Sequence, residues 1–423
     1  MPPLSGTWGV GPFGNDAAGD FCDESGAWPR GNAARPCVPP SSRCSTAPRR
    51  RSTRPRRSGR WPRPCLVAVQ CSGGEPAGPV RGPGTPLPDP TGLRELAGRA
   101  LERILTEPSW AHTPGDVVRE ADRARQVAER CAASPSAPLL PHIGTADVAR
   151  DMDRIRAALG EERVSYLGAS CGTQLGTAYA SLFPGRGDRI VLDSNLGPGG
   201  YDHRAMRLSA RGLEDRFPDF AAYVAARPEY GLGTTPRQVR ATCQELARRL
   251  EREPVQGRDE TAFRGITYDR LYADANMPEL AETRQALDTG GPVPEQPPFP
   301  GLEALRSARF AVICGDSPWP RTIREYQRDV RADSGRYPLL GGATADIGPC
   351  AFRPRSWVEK PVRVDDQGPS NLLLVQNERD PGTPLAGAKA LRRAFGDRAG
   401  LVTVDRGGHG VYPFRADLAP TTP

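Results

Sequence analysis

A serine flanked by two glycines constrains the fold of this chain more than any other feature. The pentapeptide Gly-Ala-Ser-Cys-Gly at 168–172 is the only match to Gly-x-Ser-x-Gly in the sequence, and it follows a strand-like run at 164–167. A helical segment at 173–182 comes directly after it and ends before Pro184. Glycines at these two positions let the backbone turn sharply and let the helix pack close to the strand. The pattern predicts a tight strand–helix turn that presents Ser170 at the end of a sheet.

The segments around this turn alternate between helical and strand periodicity. Residues 146–159 carry an apolar stripe with spacings of four, three and four, and a second strand is predicted at 189–193. The alternation resumes with a buried strand at 371–375, a helix near 385–395 and a strand at 401–404. Alternating helices and strands of this kind predict an α/β fold with a parallel sheet.

The predicted organisation has four parts. Residues 1–90 are rich in Arg, Pro and Gly without periodicity, so we expect a disordered or unrelated segment there. Residues 91–196 and 366–423 form the two parts of the α/β core, and residues 197–365 form a mostly helical cap inserted between them. Upstream of the strand at 164–167, the sequence shows one strand-like run, at 65–70. The N-terminal part of the sheet is therefore expected to be incomplete.

Two helix starts carry capping signals. Thr145 precedes the helix at 146–159, and Asp147 lies in its first turn. Thr235 precedes Pro236 and an apolar stripe that ends in arginines. Both threonines are therefore predicted to cap their helices with their own hydroxyl groups.

The net charge of +7 comes from one end of the chain. Residues 1–70 contain 11 arginines and 4 acidic residues, so the rest of the chain is neutral. No aromatic side chain is interleaved with the arginine run at 49–57, and a nucleic-acid partner is therefore not expected. The sequence also lacks an apolar run of about 18 residues, which excludes a membrane-spanning helix.

An aspartate and a histidine supply the partners that a serine nucleophile needs. His409 lies between glycines just after a predicted strand, and Asp380 follows another. The imidazole would act as general base, and the carboxylate would orient it. The chain order serine, aspartate, histidine is that of α/β-hydrolase triads. Asp193 and Glu378 are the alternative acids.

Several blocks of the chain resemble the tripeptidyl aminopeptidases of actinomycetes, which are related to proline iminopeptidases. The resemblance runs from about residue 125 to 415 and is carried by LLPHIGTADVARDMDRIRAALGEERVSYLGASCGTQLGTAYASLFP, RIVLDSNLGPGG, NLLLVQNERDPGTPLAGAKAL and VTVDRGGHGVY. It implies an α/β-hydrolase core with a helical cap, and a secreted serine exopeptidase that removes short peptides from free N-termini. Ser170, Asp380 and His409 take the roles of nucleophile, acid and base.

Further roles follow from the same resemblance. The backbone N–H of Cys171 would bind the oxyanion, and the segments AVICGDSPWP and GPCAF suggest that Cys314 pairs with Cys350. The cap would restrict the substrate to chain ends and bind its ammonium group through carboxylates. Candidates for that role are Asp274, Glu279 and Asp316. Neither a metal nor an organic cofactor is required.

The chain departs from the family pattern at two places. Cys171 stands where relatives carry tyrosine, and no upstream HGGPG-type loop for the second oxyanion donor is recognisable, although residues 70–74 imitate one with Gly73 and Gly74. The alternative functions are an esterase or lipase and a catalytically impaired remnant or binding protein on a hydrolase scaffold. The start of the chain has neither a basic nor an apolar signal region. As written, the chain is expected to stay in the cytoplasm, whereas the resemblance implies export.

Overall fold

A four-stranded parallel sheet forms the core of the described part of the molecule. The computed structural model describes residues 111, 113–134, 136–294 and 302–412. Its strands are β1 (Val164–Ala169), β2 (Gly187–Asp193), β3 (Leu372–Arg379) and β4 (Ala399–Gly407). They pair in the order β1-β2-β3-β4, and every pair is parallel. The predicted α/β sheet is confirmed, while the predictions for residues 1–90, including the strand-like run at 65–70, lie outside the described residues.

Helices make up most of the rest of the described chain. They are α1 (Asp116–Ala132), α2 (Thr145–Ala158), α3 (Cys171–Leu182), α4 (His203–Ala225), α5 (Pro236–Arg252), α6 (Glu260–Arg270), α7 (Met277–Thr289), α8 (Leu302–Asp316), α9 (Ile323–Arg336), α10 (Gly341–Thr344) and α11 (Leu385–Phe395). In this part of the chain no helix is both long and apolar enough to cross a membrane.

One face of the sheet packs against α2, α3 and α11. Tyr166, Leu192 and Leu374 contribute to the apolar core on this face. The helices complete the core with Met152, Leu175, Leu391 and Phe395. Full burial of one such side chain stabilises the fold by about 1.5–3 kcal/mol. Leu373 and Val402, whose positions alternate with those of the buried residues, are 38% and 50% exposed.

Helices α4 to α10 form a cap between β2 and β3. Within the described residues its apolar core shares no member with the core under the sheet. Its large side chains include Leu213, Phe217, Phe220, Val239, Leu246, Phe263, Leu280 and Leu287. Helix α1 also packs on the cap, since Val117 and Ala121 lie against Tyr326 and Val330 of α9. The inserted helical cap is present as predicted, and the domain limits themselves stay predictions.

The two predicted helix caps have different outcomes. Thr235 accepts a hydrogen bond from the backbone N–H of Gln238 and caps α5 as predicted. The prediction for Thr145 is wrong, because α2 begins at Thr145 itself and Gly144 is the N-cap residue. The N–H of Thr145 donates to Asp316 at 2.7 Å. The acceptor at the start of α2 is therefore the carboxylate of Asp316, at the end of α8, and not the hydroxyl group of Thr145.

Candidate active site

Ser170 lies in a tight turn between β1 and α3. Its backbone has φ 53° and ψ −119°, a conformation that costs a residue with a side chain about 1–3 kcal/mol. A hydrogen bond of 2.9 Å from Ser170 N to Asp193 O holds the turn against β2. A Cβ at Gly168 would lie 2.5 Å from the carbonyl oxygen of Gly172, so position 168 requires glycine. The sharp strand–helix turn is therefore present where the glycine spacing predicts it.

The first turn of α3 comes directly after Ser170. Cys171 is its first residue, and Thr173 donates to the Ser170 carbonyl oxygen from N at 2.9 Å and from Oγ1 at 2.6 Å. The N–H groups at a helix start carry partial positive charge and favour a developing anion. The proposed donor, the N–H of Cys171, belongs to this helix start. The second proposed donor, at 70–74, lies outside the described residues.

Asp380 follows β3 directly and is buried, with 1% of its surface exposed. Its carboxylate accepts from the backbone N–H groups of Gly382 and Thr383, both at 2.8 Å. His409 Nδ1 lies 2.9 Å from Oδ2 and 3.0 Å from Oδ1. Because an ionised carboxylate only accepts, this contact favours the tautomer with the proton on Nδ1 and a lone pair on Nε2. The structure brings Asp380 and His409 into direct contact.

Glycines shape the loop that carries His409. Gly408 has φ +94° and Gly410 has φ +87°, in the region that favours glycine. Asn377 Nδ2 donates to the carbonyl oxygens of Gly408 at 3.0 Å and Gly410 at 2.9 Å. A Cβ at Gly408 would lie 2.7 Å from the carbonyl oxygen of Tyr272 in the cap. Strand β3 and the cap therefore hold this loop from two sides.

The alternative acid Asp193 binds the backbone that follows His409. Its carboxylate accepts from the N–H groups of Val411 at 2.9 Å and Tyr412 at 2.6 Å. Burial raises the pKa of Asp193, and these two N–H donors act against that rise. Because its carbonyl oxygen also binds Ser170 N, one strand end connects the serine turn to the histidine loop.

Two other polar residues, Glu378 and Thr383, differ in their relation to the contact between Asp380 and His409. Glu378, the second alternative acid, accepts from Thr403 Oγ1 at 3.0 Å in an exposed pair on β3 and β4. Thr383 donates from Oγ1 to Asp380 at 2.8 Å and lies 3.3 Å from His409 Nδ1. Thr383 is not among the site residues predicted from the sequence. Its signal was the Asp-x-x-Thr spacing, which often marks side-chain to backbone bonding in a turn.

Two of the carboxylates predicted to bind the substrate ammonium group are paired with arginines. Asp274 pairs with Arg216, and Glu279 pairs with Arg270 at 2.7 Å. Both arginines are buried. Among the described residues, no three His, Cys, Asp or Glu side chains are grouped so that they could hold a metal ion. Binding of an ammonium group by Asp274 or Glu279 stays a prediction.

Asp316, the third of these carboxylates, borders a small cleft between cap and core. It accepts from Thr145 Oγ1 and from Gln174 Nε2, both at 2.6 Å. Burial raises its pKa, the bonds from Thr145 lower it, and the charge of Glu359 raises it further. Further lining residues include Ala146, Thr177, Ala178, Gly197, Gly200, Lys360, Pro361 and Val362. None of the three predicted triad residues lines this cleft.

Cys314 and Cys350 are joined by a disulfide. Their Cα atoms lie 4.7 Å apart, and 36 positions separate them in the sequence. Both lie in a small apolar cluster with Ile313 and the partly buried Trp319. The disulfide ties the last turn of α8 to the segment that follows α10, which is the pairing that the resemblance implied.

Two family profiles match the chain. A profile described as alpha/beta hydrolase fold matches residues 129–274, and one described as TAP-like protein matches residues 337–418. The first segment contains Ser170, and the second contains Asp380 and His409.

Several relatives match about three quarters of the chain. The tripeptidyl aminopeptidase of Streptomyces lividans is 32% identical over 348 aligned residues, covering 76% of this chain and 64% of that protein. The serine protease Hip1 of Mycobacterium bovis is 29% identical, with 75% and 65% covered. Carboxylesterase B of Mycobacterium tuberculosis is 28% identical, with 74% and 64% covered. The chain spans just under two thirds of the length of these relatives. With its parallel sheet, its inserted cap and these matches, the chain belongs to the α/β-hydrolase family, among the TAP-like proteins.

Proposed function

We propose that this chain is a serine hydrolase that cleaves peptide bonds near free N-termini. Ser170 is the nucleophile, His409 the general base and Asp380 the group that orients the base. The observation that carries the proposal is the buried contact of 2.9 Å between Asp380 and His409. This contact and the strained turn of Ser170 both lie at the carboxyl ends of the parallel strands. Asp193 binds the backbone of both loops.

The proposed reaction is acyl transfer through an ester of Ser170. Its Oγ attacks the carbonyl carbon as the hydroxyl proton moves to His409 Nε2, and the carbonyl oxygen becomes an oxyanion near the N–H of Cys171. Collapse breaks the C–N bond, and the leaving amine takes the proton from the imidazolium. Water then attacks the ester and gives one proton to His409, which passes it to Ser170 Oγ as the ester C–O bond breaks. The N-terminal peptide leaves as a carboxylic acid that releases its proton to solvent. Asp380 stabilises the imidazolium in both halves.

The oxyanion site determines how fast this chain is expected to work. Loss of one of two donors lowers kcat by about 10²–10³-fold. If Gly73 or Gly74 supplies no second N–H, residues 1–423 will turn over by that factor more slowly than the Streptomyces relative. A comparison of kcat on one tripeptide-linked chromogenic substrate tests this impairment. Equal kcat values would mean that the N-terminal segment provides the missing donor.

Recognition of a free N-terminus is the finer part of the proposal. Asp316 is the best placed of the three carboxylates, because it borders an open cleft whereas Asp274 and Glu279 pair with arginines. We propose export as well, since a disulfide such as that between Cys314 and Cys350 persists in oxidising compartments.

Three substrates with the same type of coloured leaving group test the function. They are a tripeptide p-nitroanilide with a free amine, its N-acetylated form and p-nitrophenyl butyrate. We expect kcat/KM to be at least about tenfold higher for the free amine than for the acetylated peptide. A tenfold ratio corresponds to about 1.4 kcal/mol of ammonium binding that the acetylated peptide loses. Ser170→Ala is the control and should be silent with all three. Equal hydrolysis of both peptides would contradict the exopeptidase proposal.

An esterase is the second candidate, favoured by the similarity to carboxylesterase B. Hydrolysis of the butyrate ester without either peptide would support it. If none of the substrates turns over although Ser170 reacts with a fluorophosphonate, the chain is a catalytically impaired member of the fold.

A further inference from the structure

Tyr272, in the cap between α6 and α7, contacts the residue proposed as general base. Its ring meets the imidazole of His409 edge-on, with centroids 5.0 Å apart and an angle of 60° between the planes. Its carbonyl oxygen accepts from His409 N at 2.7 Å. The cap therefore holds His409 by its backbone and by its ring.

The hydroxyl end of Tyr272 reaches the loop that carries Asp380. Its Oη lies 2.9 Å from Tyr268 Oη. A Cβ at Gly382 would lie 2.5 Å from Tyr272 Oη, and Gly382 N donates to Asp380 Oδ1 at 2.8 Å. Burial raises the pKa of Tyr272 well above its ordinary value, so the hydroxyl keeps its proton. One side chain thus lies against the loops of the proposed base and the proposed acid.

The backbone that presents Tyr272 is anchored by a buried arginine. Arg216 Nε donates to Leu271 O at 3.0 Å, and its guanidinium pairs with Asp219 at 2.6 Å and with Asp274. Arg216 is 1% exposed, and hydrogen bonds away from water hold their geometry more strongly than exposed ones. Arg216 therefore holds the backbone beside Tyr272 in place, and with it the contact between Tyr272 and the His409 imidazole.

We propose that Tyr272 is a positioning residue for His409, an inference that rests on the triad proposed above. Asp380 and Thr383 both contact Nδ1, but contacts at a single atom leave the imidazole free to tilt about that atom. The T-shaped contact with the Tyr272 ring removes this freedom and fixes the direction of Nε2, the atom that takes the Ser170 proton in the proposed mechanism. Reaction rates depend steeply on such alignment, since a misplacement of about 1 Å can cost about 10²-fold.

Two variants at position 272 separate the ring from the hydroxyl group. Tyr272→Leu keeps an apolar side chain but loses the flat ring, and its kcat should fall about 10- to 100-fold with KM within about twofold of wild type. The acid limb of its kcat/KM profile against pH should shift as well, because the surroundings of the imidazole change. Tyr272→Phe keeps the ring, and its kcat should stay within about threefold with an unshifted profile. Tyr268→Phe removes only the hydroxyl partner and is the matched control.

The rate of phosphonylation by a fluorophosphonate is measured beside turnover, since it reports the same alignment without a peptide substrate. Melting temperatures show whether each variant is folded. An unchanged kcat and phosphonylation rate in Tyr272→Leu would overturn the inference, as would equal losses in the Phe and Leu variants. A rise in KM alone would also overturn it, because Tyr272 would then bind substrate. Failure of the triad itself is distinct, since wild-type Ser170 would then not be phosphonylated.

Discussion

The sheet core and the cap keep their shapes in different ways. In the core, the turns around Ser170 and His409 depend on glycines such as Gly168 and Gly408, where a Cβ would meet backbone oxygen at 2.5 Å and 2.7 Å. In the cap, two of the contacts join residues that are far apart in the sequence. The buried side chain of Arg284 donates to the carbonyl oxygen of Val239, 45 positions away, and a disulfide joins segments 36 positions apart. A glycine turn is visible as a short motif, whereas a long-range link has no local signature.

The two regions meet at contacts on which the proposed chemistry depends. Asp316 at the end of α8 accepts from the first N–H of α2, and Tyr272 accepts from His409 N. The core helix start and the histidine loop are therefore completed by residues of the cap. Substitutions in the core, in the cap and at the contact between them test what each region contributes to turnover and to stability.

The largest effect is expected from the core, at the nucleophile. Ser170→Ala should lower kcat by about 10⁴-fold or more, by analogy with other triad deletions. The melting temperature should hardly change, since alanine fits where serine fits and keeps the same strained backbone. Turnover of the tripeptide p-nitroanilide measures the loss. A variant that keeps a tenth of wild-type activity would show that another group is the nucleophile.

The next effect concerns the covalent link of the cap. Replacing Cys314 and Cys350 by serine should lower the free energy of unfolding by roughly 3–4 kcal/mol, because the closed loop of 36 residues restricts the unfolded chain. Denaturant titration of oxidised protein measures this loss. Wild-type protein treated with reductant is the matched control and should approach the double variant. Peptide mapping of the natural protein that finds both residues as thiols would contradict the prediction.

A smaller effect separates two glycines of the core. Gly168→Ala should lower the free energy of unfolding by about 1–3 kcal/mol, because the alanine Cβ would lie 2.5 Å from the carbonyl oxygen of Gly172. Gly185→Ala is the control, since no atom lies within 4 Å of the Cβ position there. The difference in melting temperature between the two variants measures the effect. Equal melting temperatures would mean that the serine turn relaxes around a side chain.

The smallest expected effect is a pH dependence of stability that comes from Asp316, at the contact between cap and core. Burial raises the pKa of Asp316. A carboxyl group with a raised pKa in the folded state holds its proton more tightly there, so its contribution to stability falls as pH rises through that raised value. Asp316→Asn removes this titration, although it also weakens the bonds to Thr145 and Gln174.

The melting temperatures of wild type and Asp316→Asn, compared at about pH 4 and about pH 7, test this sign. As pH rises, the melting temperature of Asp316→Asn should increase relative to that of wild type. The same substitution at the exposed Asp151 is the control and should leave the difference constant. A shift in the opposite direction would mean that the ionised carboxylate stabilises the contact.

The parts of the site that could be predicted share one property. The turn of Ser170 and the loop of His409 each depend on glycines within two positions of the functional residue, and Asp380 follows directly on a strand that is visible as an apolar run. Thr235 likewise caps α5 through a residue three positions away. Short-range preferences of the backbone are sufficient for all four.

The prediction for Thr145 failed for the opposite reason. Its N–H has Asp316 as acceptor, 171 positions away, and no pattern near Thr145 shows which distant carboxylate will be present. Tyr272 was missed because it belongs to no motif, and its contact with His409 exists only after the cap packs on the sheet.

By itself, the sequence determined the alternation of helices and strands, the strained serine turn and the order of the three proposed catalytic groups. These follow from periodicity and glycine placement, which act over a few residues. Only the tertiary structure decided that Asp380 contacts His409, that Asp193 binds the loop behind it, and that the cap supplies Tyr272 and Asp316. Such contacts depend on how separate elements pack, and packing is set by side-chain shape and charge across the whole molecule rather than along one segment.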